Sequence, residues 1–119
     1  MVKVMIVDDS LFMRNRLTKL LTEHGYEVIV AEDGEQAVHT YCRDTPDIVL
    51  MDITMPRKDG LQALAEICAF NSRAKVIMLT ALNQELAAVH AIRIGAADFL
   101  AKPVPPDLLL RSLQNALIH

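Results

Sequence analysis

Five short apolar runs, each followed by a stretch of helical periodicity, constrain this chain more than any other feature. The runs are Val4–Val7, Val28–Ala31, Ile48–Met51, Val76–Leu79 and Phe99–Ala101. Each is too short for a buried helix, and its aliphatic content suits a strand covered on both faces. The first intervening helix follows Ser10, a good N-cap, with Met13, Leu17, Leu20 and Leu21 on one face and a stop at Gly25. The second is expected from about Asp33 to Arg43, ending before Asp44-Thr45-Pro46. The third follows Gly60, with Leu61, Leu64 and Ile67 or Cys68 as its stripe. The fourth opens near Asn83 and closes at Gly95, and the fifth begins around Pro105-Pro106, where proline's fixed φ suits a first turn.

Strand–helix alternation with short connections implies a parallel sheet, right-handed crossovers and helices on both faces. Five such units match a flavodoxin-like, doubly wound (βα)5 α/β fold with strand order 2-1-3-4-5. At 119 residues the chain is expected to form one domain, residues 1–119. Trp is absent and aromatics make up only 4%, so a core must come from Val, Ile, Leu, Met and Ala. A net charge of -3 with scattered basic residues argues against direct nucleic-acid binding, which needs clustered Lys and Arg. No apolar stretch approaches the ~20 residues of a membrane span, and Met1-Val2-Lys3 leads straight into a strand pattern rather than a signal-peptide layout. Cys42 and Cys68 lie far apart in helical patterns and read as reduced, packed core thiols. His24, His39, His90 and His119 lack ligand spacing. A cytoplasmic location is expected.

In an open parallel sheet, function gathers at the carboxyl ends of the strands. There the sequence places Asp8 and Asp9 after the first strand, Asp52 after the third, Thr80 after the fourth and Lys102 after the fifth. With the third strand between the first and the fourth, all five side chains can meet around Asp52. Singly, each has an ordinary explanation: Asp8 and Asp9 as helix caps, Asp52 as a turn former, Lys102 as the partner of one acid. Their convergence has none. Like charges 4 Å apart repel by ~4 kcal/mol at an effective dielectric of ~20, and one lysine does not neutralise three acids. A divalent cation would, and a hard oxygen cluster suits Mg²⁺, or Mn²⁺. The Asp52 carboxylate could then attack the phosphorus of a donor, with Lys102 and the Thr80 hydroxyl binding other phosphoryl oxygens.

The ensemble Val7-Asp8-Asp9-Ser10, Asp52-Ile53-Thr54-Met55-Pro56, Asp59-Gly60, Thr80-Ala81 and Lys102-Pro103 resembles response-regulator receiver domains of two-component signalling, over the whole length. The stretch Asp8 to Arg14 looks most like the single-domain chemotaxis-type regulators. The resemblance implies that Asp8 and Asp9 bind the metal, Asp9 directly and Asp8 mostly through water, with the backbone carbonyl of Thr54 as a further ligand. It implies that Asp52 accepts a phosphoryl group from a phosphohistidine on a sensor histidine kinase or phosphotransfer protein. Lys102 would pair with that group beside a cis peptide to Pro103. Thr80 would move to bond the phosphate, and Phe99 would change rotamer to fill the vacated space. Thr54 and Leu82, uncharged here, stand where the family tunes phosphoryl lifetime. Leu11, Arg14, Asn15 and Thr18, on the face of the first helix beside its core stripe, would meet the phosphodonor.

Phosphorylation is expected to switch the face made by the fourth helix, fifth strand and fifth helix, toward a downstream protein or a second copy. There Leu108, Ala88, Ile92 and Phe99 are read as outward, with Leu109, Leu113 and Leu117 inward. The chain is read as a phosphoacceptor rather than a turnover enzyme on an external substrate. An aspartyl phosphatase would carry Asp-x-Asp on its first strand, and a flavin carrier a Ser/Thr/Gly-rich loop where Ser10-Leu11-Phe12-Met13 stands. The remaining alternative is a receiver-like interaction module that works without phosphorylation.

Overall fold

Period-two alternation within the strands sorts the interior into two apolar layers, one on each face of a single sheet. The computed structural model describes residues 1–81 and 84–118. The elements run β1 (Lys3–Val7), α1 (Leu11–Glu23), β2 (Glu27–Ala31), α2 (Gly34–Asp44), β3 (Ile48–Asp52), α3 (Gly60–Phe70), β4 (Val76–Thr80), α4 (Glu85–Ile94), β5 (Asp98–Ala101) and α5 (Pro106–Ile118). All pairings are parallel and the order is β2-β1-β3-β4-β5, as the alternation of runs implied. Met5, Val7, Val49, Met51, Val76 and Met78 pack with Ala37, Tyr41, Leu64, Ile67 and Ala91 of α2, α3 and α4. Val4, Ile6, Ile48, Leu50, Ile77 and Leu79 pack with Leu17, Leu21, Leu109 and Leu113 of α1 and α5. Full burial of one such side chain is worth about 1.5–3 kcal/mol.

Double coverage holds for β1, β3 and β4 but not for the two edges. Glu27 and Val30 of β2 and Phe99 and Ala101 of β5 are exposed, because an edge strand has a helix layer on only part of its surface. The helix starts follow from local capping. The Ser10 hydroxyl accepts the Met13 N–H at 3.3 Å, and the Asp33 carboxylate accepts the Gln36 N–H at 2.9 Å. Asp59 and Gln62 satisfy each other's backbone donors in a capping box. Gly25 closes α1 at φ 85°, a conformation that favours glycine. Both cysteines are free, but only Cys68 packs against the core. Cys42 is exposed, since Ala37 and Tyr41 take the inner stripe of α2. Among the described residues no helix is long and apolar enough to cross a membrane.

Two glycines seat the loop between β3 and α3. A Cβ on Gly60 would overlap the Asp52 carbonyl oxygen, and one on Gly34 would overlap that of Lys58. The absence of side chains lets Gly60 N–H reach the Ile53 carbonyl at 2.7 Å and Gly34 N–H reach Lys58 at 3.0 Å. Arg57, at φ 65°, turns back to pair with buried Asp33 at 2.7 Å. The loop leaving Asp52 is thus tied down from both sides.

Candidate functional site

The register of the sheet brings the ends of β1, β3, β4 and β5 to one edge, with Val7 beside Met51, Asp52 beside Leu79 and Thr80 beside Ala101. Asp8 follows β1 directly. Its N–H bonds to the Ala31 carbonyl of β2 at 3.2 Å, and its carboxylate accepts the Ser10 N–H at 2.9 Å. The carboxylate is therefore fixed by the turn into α1, and Asp8 is only 1% exposed. Asp9, next in the chain, is exposed. Asp52, the last residue of β3, is 8% exposed. Carboxylate oxygens of Asp8, Asp9 and Asp52 lie within 4.8 Å of one another.

Lys102 reaches into this cluster from the end of β5, its Nζ 3.3 Å from Asp8 Oδ2 and 3.2 Å from Asp52 Oδ1. The peptide it forms with Pro103 is cis. Burial pushes the Asp52 carboxyl above its ordinary range. Lys102 opposes that shift, while the charges of Asp8 and Asp9 add to it. The net result is an acidic pocket with one cation for three carboxylates, a donor set of hard oxygens that suits a small divalent ion. Thr80 is buried at the end of β4, and its hydroxyl donates to the Leu100 carbonyl at 3.4 Å. It stands at the same edge with its hydroxyl turned toward β5.

Arg14 departs from its expected place on an open face of α1. Its guanidinium is buried, donating to the Asp8 carbonyl at 2.8 Å and pairing with Glu32 at 3.5 Å. The long side chain folds over the acidic edge, so it holds the backbone of Asp8 instead of meeting solvent. Leu11 and Asn15 are exposed and Thr18 is half-buried. Ala88 also departs from expectation: it is 1% exposed, packed inward with Ala91. Small alanines take the inner side of α4, leaving Leu86 at 87% exposed, with Val89 and Ile92, on the outer side. Phe99 of β5 and Leu108 of α5 are partly exposed as well. Leu109 and Leu113 are buried and Leu117 half-buried. Thr54 is exposed at the mouth of the pocket, and Leu82 lies outside the described residues. Gln84, which carries no motif, donates from Nε2 to Thr54 Oγ1 at 2.6 Å. No pattern in the sequence marks it, because the contact depends on how two loops face each other.

The profile of the response regulator receiver domain family matches residues 4–114. A chemotaxis protein CheY of Listeria monocytogenes is 46% identical over 117 residues, covering 98% of each chain. A response regulator receiver domain protein from Clostridium thermocellum superposes with a TM-score of 0.96 at 28% identity, covering 99% of this chain and 95% of the other. A chain of the CheX–CheY–BeF3–Mg²⁺ complex from Borrelia burgdorferi superposes at 0.94 with 37% identity, covering 99% and 90%. With its acidic cluster, its strand order and these likenesses together, the chain is a CheY-like member of the response regulator receiver domain family of two-component signalling.

Proposed function

We propose that this chain, in one receiver domain over residues 1–119, accepts a phosphoryl group on Asp52 from a phosphohistidine of a sensor kinase or phosphotransfer protein. The observation that carries the reading is the closure of Asp8, Asp9 and Asp52 within 4.8 Å around a single lysine. Asp8, Asp9, Asp52 and the Thr54 backbone carbonyl are the residues that would hold Mg²⁺ or Mn²⁺. Bound there, the ion would neutralise charge on the transferring oxygens. The Borrelia CheX–CheY–BeF3–Mg²⁺ complex supports the same assignment by likeness.

The step itself belongs to Asp52. A carboxylate oxygen forms the new O–P bond as the N–P bond to the donor imidazole breaks, and the bonding pair returns to that ring nitrogen. Lys102 leaves its contact with the free carboxylate to pair with a phosphoryl oxygen, and the Thr80 hydroxyl turns from the Leu100 carbonyl to donate to another. Phe99 then has room to turn inward. Because Phe99 is exposed, as are Leu86, Val89 and Ile92 of α4 and Leu108 of α5, its movement would reshape an apolar face made by α4, β5 and α5. A downstream protein or a second copy would bind there, with a coupling of about 1–3 kcal/mol. Leu11, Asn15 and Thr18 would meet the phosphodonor, while Arg14 holds the Asp8 carbonyl. The chain is thus a switch rather than a turnover enzyme on an external substrate. We place it in the cytoplasm, where free Cys42 and Cys68 thiols persist.

Incubation with acetyl phosphate and Mg²⁺ tests the reading by intact mass. The wild type is expected to gain one phosphoryl group, and chelation or Asp52→Asn to abolish the gain. Gain by Asp52→Asn to the wild-type extent would remove Asp52 as acceptor.

A further inference from the structure

Gln84 occupies the N-cap position of α4 but makes no capping hydrogen bond. A side-chain cap is typically worth about 1 kcal/mol, and this helix forgoes it. The carboxamide instead turns across the mouth of the acidic pocket. Its Oε1 accepts the Ala81 N–H at 2.7 Å, while its Nε2 donates to Thr54 Oγ1 at 2.6 Å. One side chain therefore ties the loop after β4 to the loop after β3.

The direction of the Ala81 N–H follows from the peptide plane. The Thr80 carbonyl accepts the Lys102 N–H at 2.7 Å, so it points toward β5. A trans peptide sets its N–H opposite its C=O, and the Ala81 N–H must point toward β3. Asp52 stands there, paired with Leu79 in the ladder. A phosphoryl group on Asp52 would bring about two negative charges and three acceptor oxygens to this spot. A backbone N–H aimed beside it is a donor of the oxyanion-hole kind, but it has one hydrogen to give, and Gln84 Oε1 already takes it.

We propose that Gln84 competes with the phosphoryl group for the Ala81 N–H, so that this side chain sets how readily Asp52 is loaded. The proposal rests on the reading of Asp52 as phosphoacceptor. Loading exchanges one partner of the N–H for another and frees the Gln84 carboxamide from both loops. The free form keeps its two loops joined and its donor satisfied, at the cost of a weaker grip on the product.

The test is the affinity for beryllofluoride in the presence of Mg²⁺, followed by fluorine NMR. Gln84→Ala is expected to bind it roughly two- to tenfold more tightly, the effect of one lost competing hydrogen bond. Gln84→Asn, one methylene shorter and a better helix cap, is expected to tighten binding as well and guards against a misfolded alanine variant. Gln84→Glu keeps the acceptor and adds a negative charge, and is expected to weaken binding. Affinity for Mg²⁺ alone should stay unchanged in Gln84→Ala and Gln84→Asn, and the Ala81 amide should exchange faster in both. Beryllofluoride affinity equal to or weaker than wild type in Gln84→Ala and Gln84→Asn, with the wild type binding normally, overturns the role of Gln84 alone. Failure of the wild type itself to bind would bring down the phosphoacceptor reading, and this proposal with it.

Discussion

Asp52→Asn is expected to stabilise the fold while abolishing the chemistry. Asp8, Asp9 and Asp52 present carboxylate oxygens within 4.8 Å of one another, so each like-charge pair costs about 3.5 kcal/mol or more at an effective dielectric of ~20. Lys102, 3.2 Å from Asp52, returns about 5 kcal/mol on the same scale. Neutralising Asp52 removes two repulsions and one attraction and leaves Lys102 with Asp8. After allowance for the solvent exposure of Asp9, a gain of about 1–2 kcal/mol remains, or a Tm rise of roughly 3–10 °C for a domain of this size.

The assay is urea or thermal unfolding of both proteins at neutral pH in chelator, then in Mg²⁺. Saturation should reverse the order, since ligand at ~100 times its Kd adds about 2.7 kcal/mol to a protein that binds it, and the variant lacks one carboxylate. The pH dependence has a defined sign. Burial raises the folded carboxyl of Asp52 above its ordinary 3.8, so its penalty is absent below that value and grows as pH rises through the raised one. The gap between the two proteins should therefore close as pH falls toward 3.8. A variant equal to or less stable than wild type in chelator at neutral pH would refute the claim that the site stores electrostatic strain.

Gly60→Ala should destabilise the protein by more than about 2 kcal/mol in urea unfolding, because the new methyl meets the backbone of Asp52. Asp33→Ala should cost about 1–2 kcal/mol at neutral pH through loss of the α2 cap. The Gln36 N–H, helped by the Arg57 guanidinium, holds this carboxyl below its ordinary 3.8, so its stabilisation is present above that value and fades as pH falls through the lowered one. Leu11→Asp should slow transfer from a phosphohistidine protein in a rapid-quench assay while leaving acetyl-phosphate labelling intact.

The strand-end acids were legible because a parallel sheet sends every strand's carboxyl end to one edge. Short apolar runs located β1, β3, β4 and β5 well enough to put Asp8, Asp52, Thr80 and Lys102 there. Ala88 was misplaced for a different reason. α4 is apolar on most of its circumference, so spacing alone carries no phase, and the close approach of α3 and the sheet selects its alanines for the inside. Arg14 was placed on an open face because the stripe of Met13, Leu17, Leu20 and Leu21 leaves it outside the core, whereas its length lets the guanidinium reach the Asp8 carbonyl and become buried. Gln84 could not be read at all: its partner Thr54 lies 30 residues away in sequence, and the two meet only in the folded chain.

Chemical trapping of the phosphorylated residue tests the central claim most directly. After reaction with acetyl phosphate and Mg²⁺, borohydride reduces an aspartyl phosphate to homoserine, and peptide mass spectrometry locates it. The expected result is homoserine at position 52 alone, absent when Mg²⁺ is chelated. Homoserine at Asp8 or Asp9, or a phosphoryl group found on a hydroxyl or imidazole side chain with Asp52 untouched, would contradict the account.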